Sequence, residues 1–117
     1  MTIEQIARVC HEANRVYCAS IKDHSHMQWS ATPEWARNSV TSGVQFALDH
    51  PDVTPEQSHQ SWLAMKQAEG WKPGPVKSVA LKEHPCCVRY EDLPPEHQVK
   101  DVLFLGIVSL FRGMVTD

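Results

Sequence analysis

The chain has 117 residues, 42% hydrophobic and 21% charged, enough to bury a core of its own as one ordinary globular domain. A net charge of −3 argues against a binding mode ruled by electrostatic grip on nucleic acid or an anionic membrane, so neither is expected as a partner. The longest apolar run, Val102 to Phe111, is broken by Gly106 and Ser109 and falls short of the roughly 20 residues that span a bilayer. The opening Met1-Thr2-Ile3-Glu4 lacks the basic cluster and apolar run of a signal peptide, and the expected location is cytoplasmic.

Thr2-x-x-Gln5 is a capping-box pattern, and Ile3, Ile6, Ala7, Cys10, Asn14, Tyr17 and Ile21 recur near a period of 3.6. They predict a helix from about Ile3 to about Ser20. Lys22 to Ala31 reads as a polar loop holding His24, His26 and Trp29. Thr32-Pro33-Glu34 starts a second helix, with Thr as cap, Pro where no N–H is needed and Glu at the positive end. That helix runs from Pro33 to about Leu48 and stops at Asp49-His50-Pro51. Thr54-Pro55-Glu56 repeats the signal for a third, Pro55 to about Glu69, ended by Gly70. Lys72-Pro73-Gly74-Pro75 is turn chemistry, and Val76–Leu81 and Cys87–Tyr90 read as two short strands. Pro94-Pro95-Glu96 begins a last helix, apolar at Val99, Val102, Leu103, Leu110, Phe111 and Met114, which is the expected central core helix. The expected fold is mostly α (α+β): four helices with a small two-stranded β element between the third and the last.

Cys10 and Cys18 stand eight apart on one helix, and the vicinal Cys86-Cys87 pair bonds to itself only through a strained ring, so all four read as free thiols. Catalytic motifs fail on spacing. His11-Glu12 is followed by Arg15 where a zinc protease needs His, and Pro85-Cys86-Cys87 lacks the Cys-x-x-Cys of a zinc deaminase. His24-x-His26 with Cys86 and Cys87 lacks structural-zinc spacing. There is no Gly-x-Ser-x-Gly elbow and no phosphate-cradling loop, and Cys10 and His11 point about 100° apart on their helix. No catalytic residue, metal or cofactor is expected.

His59, Trp62 and Lys66 are different, because helical geometry collects them. Trp62 lies about 60° and Lys66 about 20° from His59, so one stripe carries an imidazole, an indole and an ammonium. Hydrogen bonding, stacking and anion contact are what a nucleotide-like ligand asks for. The plainer reading makes Trp62 core and Lys66 solvated rim.

The run His59-x2-Trp62…Gly70-Trp71-x2-Gly74-Pro75-Val76-Lys77…His84-Pro85-Cys86…Val88-x-Tyr90-x2-Leu93-Pro94 resembles the ryanodine receptor repeat domain, a module found in tandem in animal calcium-release channels and alone in bacterial and phage proteins. The helix with Ile6, Ala7, Val9, Cys10, His11, Glu12, Asn14 and Arg15, and the segment from Trp29 to Pro33-x-Trp35, resemble the N-terminal extension of the stand-alone microbial members. The division expected is an extension over residues 1–50 and a core motif over 51–117 of one domain. Lys72-Pro73 departs from the family, which commonly has an aromatic residue before the Gly-Pro.

The resemblance implies a non-enzymatic module that binds adenine nucleotides and flat rings, with the tryptophan of His-x-x-Trp as stacking face. That carries over onto His59 and Trp62. Lys66, Trp71 and Lys77 join them by proximity along the motif, and His11, Asn14, Trp29 and Tyr90 are further candidates. Trp35 and Phe46 are expected in the core. The expected role is to sense a nucleotide and pass the state to a partner, or to sequester a nucleotide signal; the second suits a phage protein opposing host defence. One repeat offers one stacking tryptophan, so a homodimer is expected. The alternatives are a protein-interaction adaptor, or an enzyme using His11 with Glu12 or His59 with Glu56.

Overall fold

Both capping boxes form in the computed structural model, which describes residues 1–116. At helix α1 (Ile3–Ser20), Gln5 N donates to Thr2 Oγ1 at 3.1 Å and Thr2 N to Gln5 Oε1 at 2.9 Å. At α3 (Pro55–Ala68), Thr54 and Gln57 repeat the exchange at 3.2 and 3.0 Å. Each box satisfies two donors that a helix start leaves unpaired. Helix α2 (Glu34–Asp49) differs: Pro33 is its cap and no side chain bonds its first turn. The Thr32 hydroxyl expected there instead donates to Gln28 O at 2.8 Å, because the loop before it offers a nearer acceptor. Helix α4 covers Pro95–Phe111.

The chain divides into two compact units, one of residues 1–53 with the stretch from Val102 onward, the other Thr54–Asp101. In the first, Ile6, Ala7 and Cys10 of α1, Trp29 of the loop, Val44 and Ala47 of α2 and Val108 of α4 form the buried core. Arg112 donates to the carbonyls of Ala47 and Leu48 at 3.0 and 2.9 Å, occupying the C-terminal end of α2. The core face of α4 is Phe104, Leu105, Ile107, Val108 and Phe111. Val99, Val102, Leu110 and Met114, among the apolar positions of the expected core helix, are exposed. An apolar helix shows no polar face to mark its outer side, so the sequence does not reveal which stripe is covered. Trp35 is also exposed, at 42%, since α2 turns it away from the side carrying Val44 and Ala47.

In the second unit, β1 (Lys72–Pro73) and β2 (Glu83–His84) pair in parallel, Lys72 with Glu83 and Pro73 with His84. The strands expected at Val76–Leu81 and Cys87–Tyr90 do not form. Ser78 and Glu83 exchange both backbone hydrogen bonds at 2.9 and 3.0 Å, folding Val79–Lys82 into a tight turn with Lys82 left-handed (φ 51°). Val76, Val79 and Leu81 have strand propensity but no sheet face to cover, and remain 66%, 55% and 64% exposed. Tyr90–Asp92 is a 3₁₀ turn. Gly74 admits the close pass of β2, since a Cβ there would stand 2.5 Å from Glu83 Cβ. All four cysteines are buried thiols. No helix among the described residues is long and apolar enough to cross a membrane.

Helices α1 and α3 end in the same way. After α3, Gly70 is left-handed (φ 91°), Gly70 N donates to Gln67 O at 3.0 Å and Trp71 N to Lys66 O at 2.9 Å. After α1, Lys22 is left-handed (φ 67°), Lys22 N donates to Ala19 O at 3.0 Å and Asp23 N to Cys18 O at 2.8 Å. Both are Schellman motifs, which fold the residue beyond the turn back over the last helical turn. Trp71 thereby returns over Lys66, and Asp23 over Cys18. Gly70→Ala forces a Cβ into the left-handed region and is expected to cost about 1–2 kcal/mol, read from urea unfolding midpoints. An unchanged midpoint would show that this reversal does not constrain the unit.

Candidate functional site

The motif residues of the second unit converge on Trp62. Its ring lies 5.5 Å from His59 and 5.3 Å, edge-on, from His84. His84 in turn meets Trp71 at 6.5 Å, and Tyr90 lies 6.0 Å from His59. β2 delivers His84 to this cluster, the helix end of α3 delivers Trp71, and the 3₁₀ turn delivers Tyr90. Cys86 N donates to His84 Nδ1 at 2.9 Å, so the ring proton of a neutral His84 is on Nε2. Trp71 is 7% exposed, whereas Trp62 and Tyr90 are half-buried.

The polar members of the stripe are the most enclosed. His59 is 3% exposed and its Nε2 donates to Val88 O at 2.7 Å, while Nδ1 stands 3.8 Å from Asp101 Oδ2. Burial pushes the Asp101 carboxyl up to about 6, against the opposing pull of His59 and Lys100. Lys66 is 6% exposed with its ammonium 5.4 Å from the Trp71 ring centre. Burial lowers its pKa, with Glu69 and Cys87 nearby pulling the other way. Cys87 is pushed up by its own burial. The plainer sequence reading is thus reversed in one respect: the lysine is inside and the tryptophan is the more exposed.

The four other candidates are spread over both units. Lys77 is exposed between β1 and β2. His11, Asn14 and Trp29 belong to the first unit. His11 Nε2 donates to Met27 O at 2.6 Å, and its ring meets Trp29 at 5.5 Å. Glu12 accepts from Trp29 N at 3.2 Å and from Arg15 Nε at 2.6 Å. This pair therefore holds the loop after α1 in place, with Trp29 buried in the core. Arg8, Val9, Glu12, Ala13, Val16, Tyr17 and Leu103 line an open depression of about 660 Å³, and none of the nine candidates borders it.

Sequence reasoning passed over His84 and Asp101. His84 stood in the quoted motif beside Pro85, a usable signal, but nothing local marks Asp101 as the neighbour of a residue 42 positions earlier. Among the described residues one group of metal-ligating side chains converges, Cys18 with Asp23 and His26, and not the set of His24, His26, Cys86 and Cys87 weighed from the sequence.

Residues 47–103 match the family model of the RyR domain. That segment contains the whole second unit, with every motif residue from His59 to Leu93. No curated protein sequence matches the chain.

A raised Asp101 pKa means that the folded chain holds this proton more tightly than the unfolded chain. Its contribution to stability is full below about pH 4 and is lost as pH rises through about 6. Asp101→Asn keeps a donor for His59 Nδ1 without the titration. The variant is expected to gain stability over the parent across that window, measured by urea unfolding at a series of pH values. Parallel profiles would show that Asp101 ionises without penalty.

Proposed function

The chain belongs to the RyR domain family through residues 47–103, and we propose that it is a non-enzymatic binding module that stacks a nucleotide-type ligand on Trp62. The observation that carries this reading is the half-buried indole in ring contact with two imidazoles, at 5.5 and 5.3 Å. A ring braced before the ligand arrives loses little freedom on binding. Stacking on it tolerates any flat base. An adenine nucleotide, an ADP-ribose-derived signal or a cyclic nucleotide fits this chemistry. Exposed Lys77 meets the phosphate, and Lys66 adds its field from beside Trp71. His59 spends Nε2 on the Val88 carbonyl and turns Nδ1 towards Asp101, which favours a supporting role over acid–base chemistry.

The module senses or sequesters its ligand, in the cytoplasm, or in the host's if the protein is phage-encoded. The second reading, an adaptor, draws on exposed Val76, Val79 and Leu81. A thermal-shift panel separates the two: nucleotides raise the melting temperature more than nucleosides if a phosphate contact adds to stacking. No shift with any adenine compound would favour the adaptor. Trp62→Ala should weaken nucleotide binding roughly five- to 150-fold by calorimetry, from about 1–3 kcal/mol per stacked base. Unchanged affinity would move the ligand away from Trp62.

One indole covers one face of a flat ligand, and a second copy of the chain supplies the other. A two-fold homodimer is also the commonest closed assembly. Light scattering at micromolar concentration is expected to give twice the chain mass. A monomer that binds one-to-one would mean that the chain covers both faces itself.

A further inference from the structure

We propose that Cys18, Asp23 and His26 form a binding site for a zinc-class divalent cation, separate from the nucleotide site. One donor atom from each residue lies within 4.8 Å of the other two. His26 Nε2 and Asp23 Oδ2 are 3.6 Å apart. Ligands at about 2.0–2.3 Å from a tetrahedral ion are separated by about 3.3–3.8 Å, so this pair already stands at coordination spacing. Sulfur stands about 3.5 Å from the other ligand atoms in such a site, so the thiol needs a shift of at most about 1.3 Å. A thiolate, an imidazole and a carboxylate suit zinc or cobalt, while the sulfur disfavours magnesium and calcium.

The site is built by structure on every side. The Schellman end of α1 folds Asp23 back over Cys18 and keeps Lys22 in the left-handed region to do so. Asp23 Oδ1 accepts from Ser25 N at 3.0 Å and Ser25 Oγ at 2.7 Å, which leaves Oδ2 turned to His26. His26 is positioned by the loop that His11 and Glu12 hold through Met27 O and Trp29 N. Cys18 lies at the bottom, 0% exposed, whereas the His26 and Asp23 side chains are 17% and 34% exposed, so an ion enters past them. The fourth position falls to water, as in open zinc sites.

Binding takes the Cys18 thiol proton to solvent and forms the metal–sulfur bond. The thiol now donates to Asn14 Oδ1 at 3.7 Å. Once it is a thiolate, Asn14 turns its amide over and donates to sulfur. Asn14 is thus a positioning residue for this site.

The test uses the full chain, reduced with a phosphine, with Zn²⁺ in native mass spectrometry and calorimetry and Co²⁺ as the spectroscopic probe. Expected are one Zn²⁺ per chain, and with Co²⁺ a thiolate charge-transfer band together with the intense visible bands of four-coordinate cobalt. Cys18→Ser removes the charge-transfer band and Cys86→Ser keeps it. His26→Ala and Asp23→Asn, at partly exposed positions that do not endanger the fold, lower zinc affinity at least about tenfold, and Asn14→Ala lowers it about 10- to 100-fold. These two ligand variants decide the matter if Cys18→Ser does not fold. No charge-transfer band in the reduced parent, unchanged zinc affinity in His26→Ala and Asp23→Asn, or a band lost only in Cys86→Ser would overturn the proposal.

Discussion

Two helix ends shape the chemistry of this chain. A helix that stops through a left-handed residue does not simply run out; it turns the next residue back over its own last turn. After α3 that residue is Trp71 and the one it covers is Lys66. After α1 it is Asp23, over Cys18. Gly70 takes the left-handed conformation without a steric penalty, whereas Lys22 takes it at a cost of about 1–2 kcal/mol. In each unit a backbone device thus joins a chemically active side chain to a partner five residues on.

The second unit answers the problem of buried polarity locally. An ammonium and an imidazole removed from water need compensation, or they give up their charge. Lys66 has the face of Trp71 and the pull of Glu69 and Cys87. His59 has the Val88 carbonyl and the Asp101 carboxyl, and that carboxyl carries the penalty as a raised pKa. The imidazoles hold the Trp62 ring by its edges and faces, so the groups that look like ligand contacts in the sequence serve first as the frame of the indole. In the first unit, His11 and Glu12 do comparable work on the loop after α1.

The starts of the helices were legible because a capping box is a local exchange between residues three apart. α1 and α3 begin where Thr2 and Thr54 say they do. The same reasoning failed at Thr32, where the loop Met27–Ala31 competes for the hydroxyl. The β element was expected in the right interval but in the wrong residues. Its pairing joins Lys72 to Glu83 across eleven positions, and no alternation of side chains announces it. The outward face of α4 and the exposure of Trp35 escaped for a related reason: hydrophobicity says that a residue can be buried, not that a neighbour is there to bury it.

By itself the sequence determined the four helices, the stops at Gly70 and after Ser20, the RyR motif and the shared face of His59, Trp62 and Lys66, since each depends on spacing along one stretch of chain. Tertiary structure alone decided that Lys66 lies inside and Trp62 nearer the surface, and that His84 and Asp101 complete their surroundings. Those outcomes depend on segments that approach through loops and turns. Their positions follow from the balance of packing, desolvation and backbone hydrogen bonding across a whole unit, which no local window of residues contains.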